Sequence, residues 1–585
     1  VVFLPWEEGI QQFSAIIKAA SGAIAYLGKP ASGSEGRFVD EWLKAAGGGQ
    51  RVKFNLLTQN SQTAANKIAF NRADIPEYAF EKAGIILNFS ADFLETWGNS
   101  VENARRFTDM HVYKNGKKNR FIHISPHVSL TGAKADRWIV INPGTEGLVA
   151  LAIAAVMREK NGSHKFLKNY LAAYTPEKVT EATGVSVEVM RELANDAMEH
   201  GPVLALGGGN VSATDQSVET LVAVNILNSV SGALDKTIRF FNQAIPESSS
   251  HQDLTQLISD LEAGKIKLLI IDDSNPVYAL PPSMGFKQAL KNAFVVSMAS
   301  QKSETSHLAN LVLPALTAYE SWGDAFPRSG VRSIQQPVMS TVNTFDAKAR
   351  EDVLLSVAQN VNKKAFPGNS SYLDYLQNIW KRIQREVGDK RKFDSFWISV
   401  LENGGIFENS KYKRVTLSRK VTSVKVNDPG LIGKDGLTLL PTTSLLIGDG
   451  SGANKPWLQE VPHPMSQIVW DSWVEINPDT AQKLGINDRA IIEVTTPHGS
   501  VNATAYYHFG IHRNAIAIPM GQGHQNSGDV ADGFGINVMN LLSGRMDNAG
   551  NFALVDTQAT LKMVNEKSYT VNTDGNARQL GRDIA

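Results

Sequence analysis

From its start to about residue 330 the chain repeats one pattern: a short apolar run closed by small or polar residues, then a stretch of helical periodicity. The strand candidates are "GAIAYLG" (22–28), "RVKFNLL" (51–57), "AGIILNFS" (83–90), "RFIHIS" (120–125), "RWIVI" (137–141), "PVLALGGG" (202–209), "KLLIIDDS" (267–274) and "AFVVSMAS" (293–300). Runs that are apolar on both faces suit strands covered on both sides, and parallel strands need a crossover that a helix can supply. The intervening stretches have the helical period. "EEGIQQFSAIIKAAS" places Ile10, Phe13, Ile17 and Ala20 on one face, and Ser186 precedes "VEVMRELANDAMEHG" as an N-cap with Glu188 in the first turn. So many strands exceed one comfortable sheet, so the pattern predicts two parallel-sheet α/β domains.

Beyond 365 the pattern loosens. "SYLDYLQNIWKRIQREVG" is one helix with Leu376, Ile379, Ile383 and Val387 inward, and 400–445, with "NDPGLIGKDG", reads as a connection with little core. After 465 apolar and polar residues alternate with period two: Ile491, Glu493, Thr495, then Val501, Ala503, Ala505. "PHGS" marks a hairpin turn and "NPDTAQKLGI" a short helix, which together predict a compact β-barrel domain. The longest apolar run, "LVALAIAAVM" at 148–157, cannot cross about 30 Å of hydrocarbon. It follows "NPGTEG" and reads as a buried helix capped by Thr145.

Composition narrows the chemistry. Fifty-eight basic residues balance 58 acidic ones, so no global field draws the chain to nucleic acid or an anionic bilayer, and only local patches could. There is no cysteine, which excludes disulfides, Cys-ligated zinc, iron–sulfur clusters held by this chain and cysteine nucleophiles. The opening "VVFLPWEEGI" has no signal-peptide pattern, lacks Met and begins inside a domain-like pattern, which suggests a fragment of a longer protein.

Several short motifs carry possible chemistry. "GGGNVS" (207–212) nearly matches a dinucleotide fingerprint, but Ser212 replaces the last glycine and no acidic strand end follows at ribose distance, so a tight turn is favoured over nucleotide binding. His123 and His127, like His508 and His512, are four apart. The first pair straddles Pro126, the second could share a sheet face, and no acid lies nearby in sequence, so core or surface histidines are favoured over metal ligands. Asp272 and Asp273 end a strand before Asn275-Pro276 and read as a turn, with paired-acid chemistry as the alternative. Glu304 and Glu320 are loop acids without an identifiable partner, "RRF" and "GKKNR" are small basic clusters read as solvated loops, and Ser61 reads as a helix N-cap.

Taken together, these segments resemble the molybdopterin oxidoreductase family of the dimethyl sulfoxide reductase type. The resemblance is carried by "INPGTEGLVALAIAAVM", "NPVYALPPS", "SETSHLANLVLPALTAYESWGDAF" and "VEINPDTAQKLGI", in the family's order. It implies two α/β domains and a C-terminal double-psi β-barrel around two pterin dinucleotides and one molybdenum or tungsten. It also implies the domain limits: 1–57 with 241–400, 58–240, a linker 401–445, and the barrel 446–585. "SADFLETWGNSVENARRF", "PMGQGHQNSGDVADGFGINVMNLL" and "ARQLGRDIA" further resemble the molybdopterin-like half of the large iron–sulfur subunit of bacterial alternative complex III. In that subunit a ferredoxin-like half follows, and this chain ends about where it should begin.

The departures from the family pattern matter. Where catalytic members hold the metal through Cys, selenocysteine, Ser or Asp, this chain has "TQNSQTAANK", with Ser61 the one candidate ligand. The pterin-dinucleotide loop corresponds to "NFSADFLETW", where Asp92 would face phosphates and Phe93 and Leu94 would fill the space a nucleotide needs; Asn310 stands where the family often has Asp. The expectation is a non-catalytic scaffold with no catalytic, cofactor-binding or metal residue and no cofactor of its own. By resemblance it would dock a ferredoxin-like module carrying iron–sulfur clusters, a multihaem cytochrome c and quinol-binding membrane subunits, at the periplasmic face of the inner membrane and without nucleic acid. The alternatives are an active molybdenum or tungsten enzyme with Ser61 as ligand, and a nucleotide-binding protein using "GGGNVS".

Overall fold

The computed structural model describes residues 2–113, 116, 118–241, 250–432, 436–567 and 570–573. The closing "ARQLGRDIA" and parts of "GKKNR" and "NDPGLIGKDG" lie outside them. The chain forms two compact units, one of Val1–Thr58 with Phe241–Lys411, the other of Gln59–Phe240 with Tyr412–Ala585.

The first unit is built on a five-stranded sheet in the order Leu311–Pro314, Phe294–Ala299, Leu268–Asp272, Ile24–Gly28, Gln50–Lys53, parallel throughout. Helix Trp6–Ala20 buries Phe13, Ile17 and Ala20, with Ile10 partly buried beside them, as its period predicts. Phe13 and Trp42 pack near Tyr26, and the Trp42 indole donates to the Leu354 carbonyl at 2.7 Å. A smaller antiparallel sheet, Gly323–Arg328, Val331–Gln335 and Gly405–Phe407, carries helices Tyr372–Glu386 and Phe393–Asn403. In the first of these Leu376 and Ile383 are buried, Ile379 and Val387 partly so, and Trp380, fully buried, joins Trp397 and Phe396 in a separate core.

The second unit contains a four-stranded parallel sheet, Arg137–Ile139, Arg120–Ile124, Ile85–Phe89, Val203–Gly207. Its strands are apolar on both faces because helices cover both, among them Glu146–Asn161 and Ser217–Val230, each buried on most of its circumference. The run 148–157 is therefore the core helix its length predicts. Thr145 stands at the N-cap position but does not cap: its hydroxyl donates to the Asn142 carbonyl at 2.7 Å. Ser186 does cap its helix, accepting from the Val189 N–H.

Six strands close a barrel in the order Leu437–Thr442, Ala515–Pro519, Trp473–Ile476, Gly499–Tyr507, Ile491–Thr496, Gln558–Asn565. Parallel and antiparallel neighbours alternate around part of it, and closure leaves no free edge. Pro497 and His498 form the two-residue turn between paired Thr496 and Gly499. The stretch read as a connection contains the barrel strand Leu437–Thr442, whose central residues are all buried and so lack the alternation that would flag a strand. Among the described residues no helix is long and apolar enough to cross a membrane.

Candidate functional site

In an open parallel sheet, ligands bind beyond the carboxyl ends of two neighbouring strands whose connections run in opposite directions. In the second unit those strands are Ile85–Phe89 and Val203–Gly207. The loop after the first meets the turn after the second there. A Cβ on Gly209 would collide with the Ser90 carbonyl oxygen and lie 3.0 Å from Oδ1 of Asp92. Glycine at 209 thus lets the two loops touch. Gly208, at φ +89°, supplies the left-handed residue of the turn. Ser212 closes "GGGNVS" on itself by accepting from the Gly209 N–H at 3.1 Å and donating to the Gly209 carbonyl at 3.0 Å, so that amide is not offered to a phosphate.

Phe93 does not occupy the crevice, contrary to the sequence expectation. It is fully buried beneath it, its ring 4.9 Å from Phe80 and 5.5 Å from both Phe107 and Phe121. The loop is pinned by this aromatic anchor because a ring following a buried strand gains more from the core than from solvent. Leu94 packs on the same core, and Trp97 lies beside Tyr78, ring centroids 5.1 Å apart.

The polar groups at these strand ends are acidic. Burial pushes the Asp92 carboxyl up to about 6, with the Glu95 carboxylate adding to it and the Thr96 hydroxyl, which donates to Asp92, offsetting part. Glu95 accepts from the Ser129 hydroxyl and the Thr131 N–H. Glu146, first residue of its helix, accepts from Ser90 Oγ at 2.7 Å, while its second oxygen has no partner; burial pushes it up to about 7. Among the described residues none of these three carboxylates has a cationic partner. A pyrophosphate here would add charge where carboxylates already resist ionisation.

The first unit has its own crevice of this kind, between Ile24–Gly28 and Leu268–Asp272. Asp272 accepts from the Tyr26 hydroxyl at 2.6 Å and from Arg350 at 2.8 Å. Arg350 also faces Glu351 at 3.4 Å and Glu35 at 3.8 Å. Burial pushes Glu35 up to about 7 although Arg350 draws it down. One guanidinium shared by three carboxylates is not free to bind phosphate. Asp273 pairs with Lys29 at 3.7 Å, and Asn275 opens the one-turn helix Pro276–Ala279, so the Asp-Asp pair closes a strand as expected. The loop acids do have partners: Glu304 accepts from Asn275, and Glu320 from Thr317 and the Val342 N–H. Asn310 accepts from the Val295 N–H at 2.8 Å.

Ser61 is not an N-cap. It lies in the first turn of helix Asn60–Phe70 and donates to Asp547 Oδ2 while accepting from Asn551 Nδ2, each at 2.5 Å. A serine that ligates a metal must give up its proton and turn its oxygen to the ion. Here the proton goes to a carboxylate that burial pushes up, and the oxygen takes an amide. Taken separately, neither strand-end crevice suits a pyrophosphate, and Ser61 does not suit a metal.

One constellation was hidden from sequence. An acid does join the histidines: Glu475, in the barrel strand Trp473–Ile476, accepts from His127 Nε2 at 2.6 Å and from the Trp473 indole at 3.0 Å, with His508 Nε2 at 3.9 Å. All three residues of this two-histidine, one-carboxylate cluster are buried. Burial alone would raise Glu475, but His127 and His508 outweigh it and bring it down to about 2. The Gly510 N–H donates to His508 Nδ1 at 3.0 Å, which fixes the proton on Nε2 and leaves that nitrogen no lone pair for a metal. The cluster is a buried hydrogen-bonded contact joining the α/β body to the barrel. His123 is a neutral core histidine between Asn88 and the His127 carbonyl, lowered by burial to about 4, and His512 accepts from the Asn514 N–H.

With the geometry established, comparison with known proteins gives the lineage. The family described as "Molybdopterin oxidoreductase" matches residues 19–354, and "Molydopterin dinucleotide binding domain" matches 459–552. The chain belongs to the molybdopterin oxidoreductase family. A similar curated protein is the menaquinone reductase, molybdopterin-binding-like subunit, of Nitratidesulfovibrio vulgaris, 25% identical over 571 residues, covering 93% of this chain and 80% of that one. The arsenate respiratory reductase molybdopterin-containing subunit of Shewanella sp. strain ANA-3 is 21% identical over 629 residues, covering 79% and 71%. Acetylene hydratase from Pelobacter acetylenicus shares the fold, with a TM-score of 0.74 at 14% identity over 96% of this chain and 90% of that one. Family membership thus accompanies strand ends whose residues do not suit the family's cofactor.

Proposed function

We propose that this molybdopterin oxidoreductase family member is a non-catalytic scaffold within a quinol-linked respiratory complex of the alternative complex III kind. In this reading the chain holds no pterin or metal. It docks an iron–sulfur module, a multihaem cytochrome c and quinol-binding membrane subunits at the periplasmic face, and redox chemistry lives on those partners. The observation that carries the reading is the make-up of the two strand ends, one where Gly209 meets the Ser90 carbonyl beside Asp92, the other where Arg350 is held by three carboxylates. A relative named a molybdopterin-binding-like subunit of a menaquinone reductase supports it. So does an exposed apolar stretch in the first unit, where Tyr319, Val338, Met339 and Phe345 face solvent although the Tyr319 carbonyl accepts from the N–H groups of both Val338 and Met339.

The competing reading, a molybdenum or tungsten enzyme using Ser61, is favoured by the family match alone. Replacing Ser61 by Ala in the assembled complex separates the two. A scaffold keeps quinol-oxidation activity once assembly is matched to wild type, whereas an enzyme that ligates its metal through Ser61 loses it.

A further inference from the structure

Two segments of this electrically balanced chain contain no acidic residue. Residues 160–176 carry Lys160, Lys165 and Lys168, and residues 409–427 carry six further lysines and arginines. The fold lays them side by side. The Arg419 guanidinium sits 5.8 Å over the Phe166 ring, and the Val426 N–H donates to the Tyr174 hydroxyl at 3.1 Å. Lys165, Lys168, Arg414, Arg419, Lys420 and Lys425 are all exposed. Among the described residues none of the six has a carboxylate partner; the one polar contact from their charged ends is Lys420 to Asn71 Oδ1 at 3.2 Å.

A surface this rich in uncompensated cations calls for an anionic partner. Its make-up decides which kind. Within 160–176 and 409–427 the one large apolar side chain exposed is Tyr412, whose ring is covered on one face by the Arg239 guanidinium at 4.9 Å, so the patch lacks the clustered apolar centre of a specific protein interface, where lysine is depleted. Lysine ammonium groups on a surface without an anchor suit a diffuse layer of charge, such as a sheet of lipid headgroups. We propose that this face seats the chain electrostatically on an anionic phospholipid surface. The inference does not depend on the scaffold reading, because a metal-bearing chain would present the same face.

The test uses the purified chain and sedimentation with vesicles. Vesicles rich in phosphatidylglycerol should bind it at about 50 mM salt and release it at about 0.5 M, where screening is nearly complete, and phosphatidylcholine vesicles should not bind it. Each neutralised residue should weaken partitioning about fivefold, so the quadruple variant Lys165→Gln, Lys168→Gln, Lys420→Gln, Lys425→Gln should lose at least about two orders of magnitude. An unchanged thermal unfolding curve confirms that the variant is folded. Absence of binding to phosphatidylglycerol overturns the proposal, as does binding that the quadruple variant retains. Capture by immobilised poly-glutamate with no vesicle binding would assign the face to an acidic protein instead, and equally overturns it.

Discussion

Glu146 offers a test of the acidic strand ends that reads out on stability alone. Its carboxyl is fully buried at the start of a core helix, with one oxygen held by Ser90 and the other unpartnered. Burial raises it from 4.5 to about 7. A group raised on folding stabilises fully below its unfolded value, and that contribution disappears as pH climbs to the folded value. The gap corresponds to about 3 kcal/mol at most, taking about 1.4 kcal/mol per pH unit. Wild type should therefore lose stability from pH 4.5 to about 7 through this residue. Glu146→Gln keeps an acceptor for Ser90 and abolishes the titration. Urea unfolding of both proteins at pH 5, 6, 7 and 8 should show the variant gaining on wild type by up to about 3 kcal/mol over that range. The slope of the difference is the informative quantity, since an amide in place of the unpartnered oxygen shifts both ends alike. Parallel profiles would refute the reasoning and mean that Glu146 is solvated or meets a cation.

Three further substitutions probe the other contacts. Glu475→Gln should destabilise at neutral pH by about 3 kcal/mol, because it removes the buried carboxylate that accepts from His127 and the Trp473 indole and is held down at about 2. Since Glu475 is lowered from 4.5 to about 2, the wild-type advantage is present above pH 4.5 and is lost as pH falls toward 2, which acid titration of the two proteins can follow. Gly209→Ala forces a methyl group onto the Ser90 carbonyl and should cost about 1–3 kcal/mol in thermal unfolding, although φ at 209, −132°, suits any residue. Ser61→Ala strands Asp547 and Asn551 and should cost about 1–3 kcal/mol by the same measurement.

How much of this was legible in sequence follows the range of each interaction. Helix Trp6–Ala20 and the core helix around 148–157 could be read off because their period and length are local properties. The parallel strands announced themselves by unbroken apolar runs, while the barrel strand Leu437–Thr442 looked like connection because it too is buried on both faces yet has no helical neighbours in sequence. The site was harder. His127 and Glu475 are 348 residues apart and Ser61 and Asp547 are 486 apart, so no local motif could pair them. Phe93 shows a subtler limit. Its bulk after a strand end was plain, but whether a loop side chain turns outward or into the core depends on Phe80, Phe107 and Phe121, which tertiary packing brings together. The contact between the two loops, glycine against a carbonyl, has a sequence signal only in retrospect, as the third glycine of a run that looks like a phosphate loop.

The most direct test of the account is elemental and pterin analysis of the intact chain purified from cells able to make molybdenum cofactor. The account predicts neither stoichiometric molybdenum or tungsten nor extractable pterin. One metal atom per chain with two pterin dinucleotides, lost together on Ser61→Ala, would contradict it.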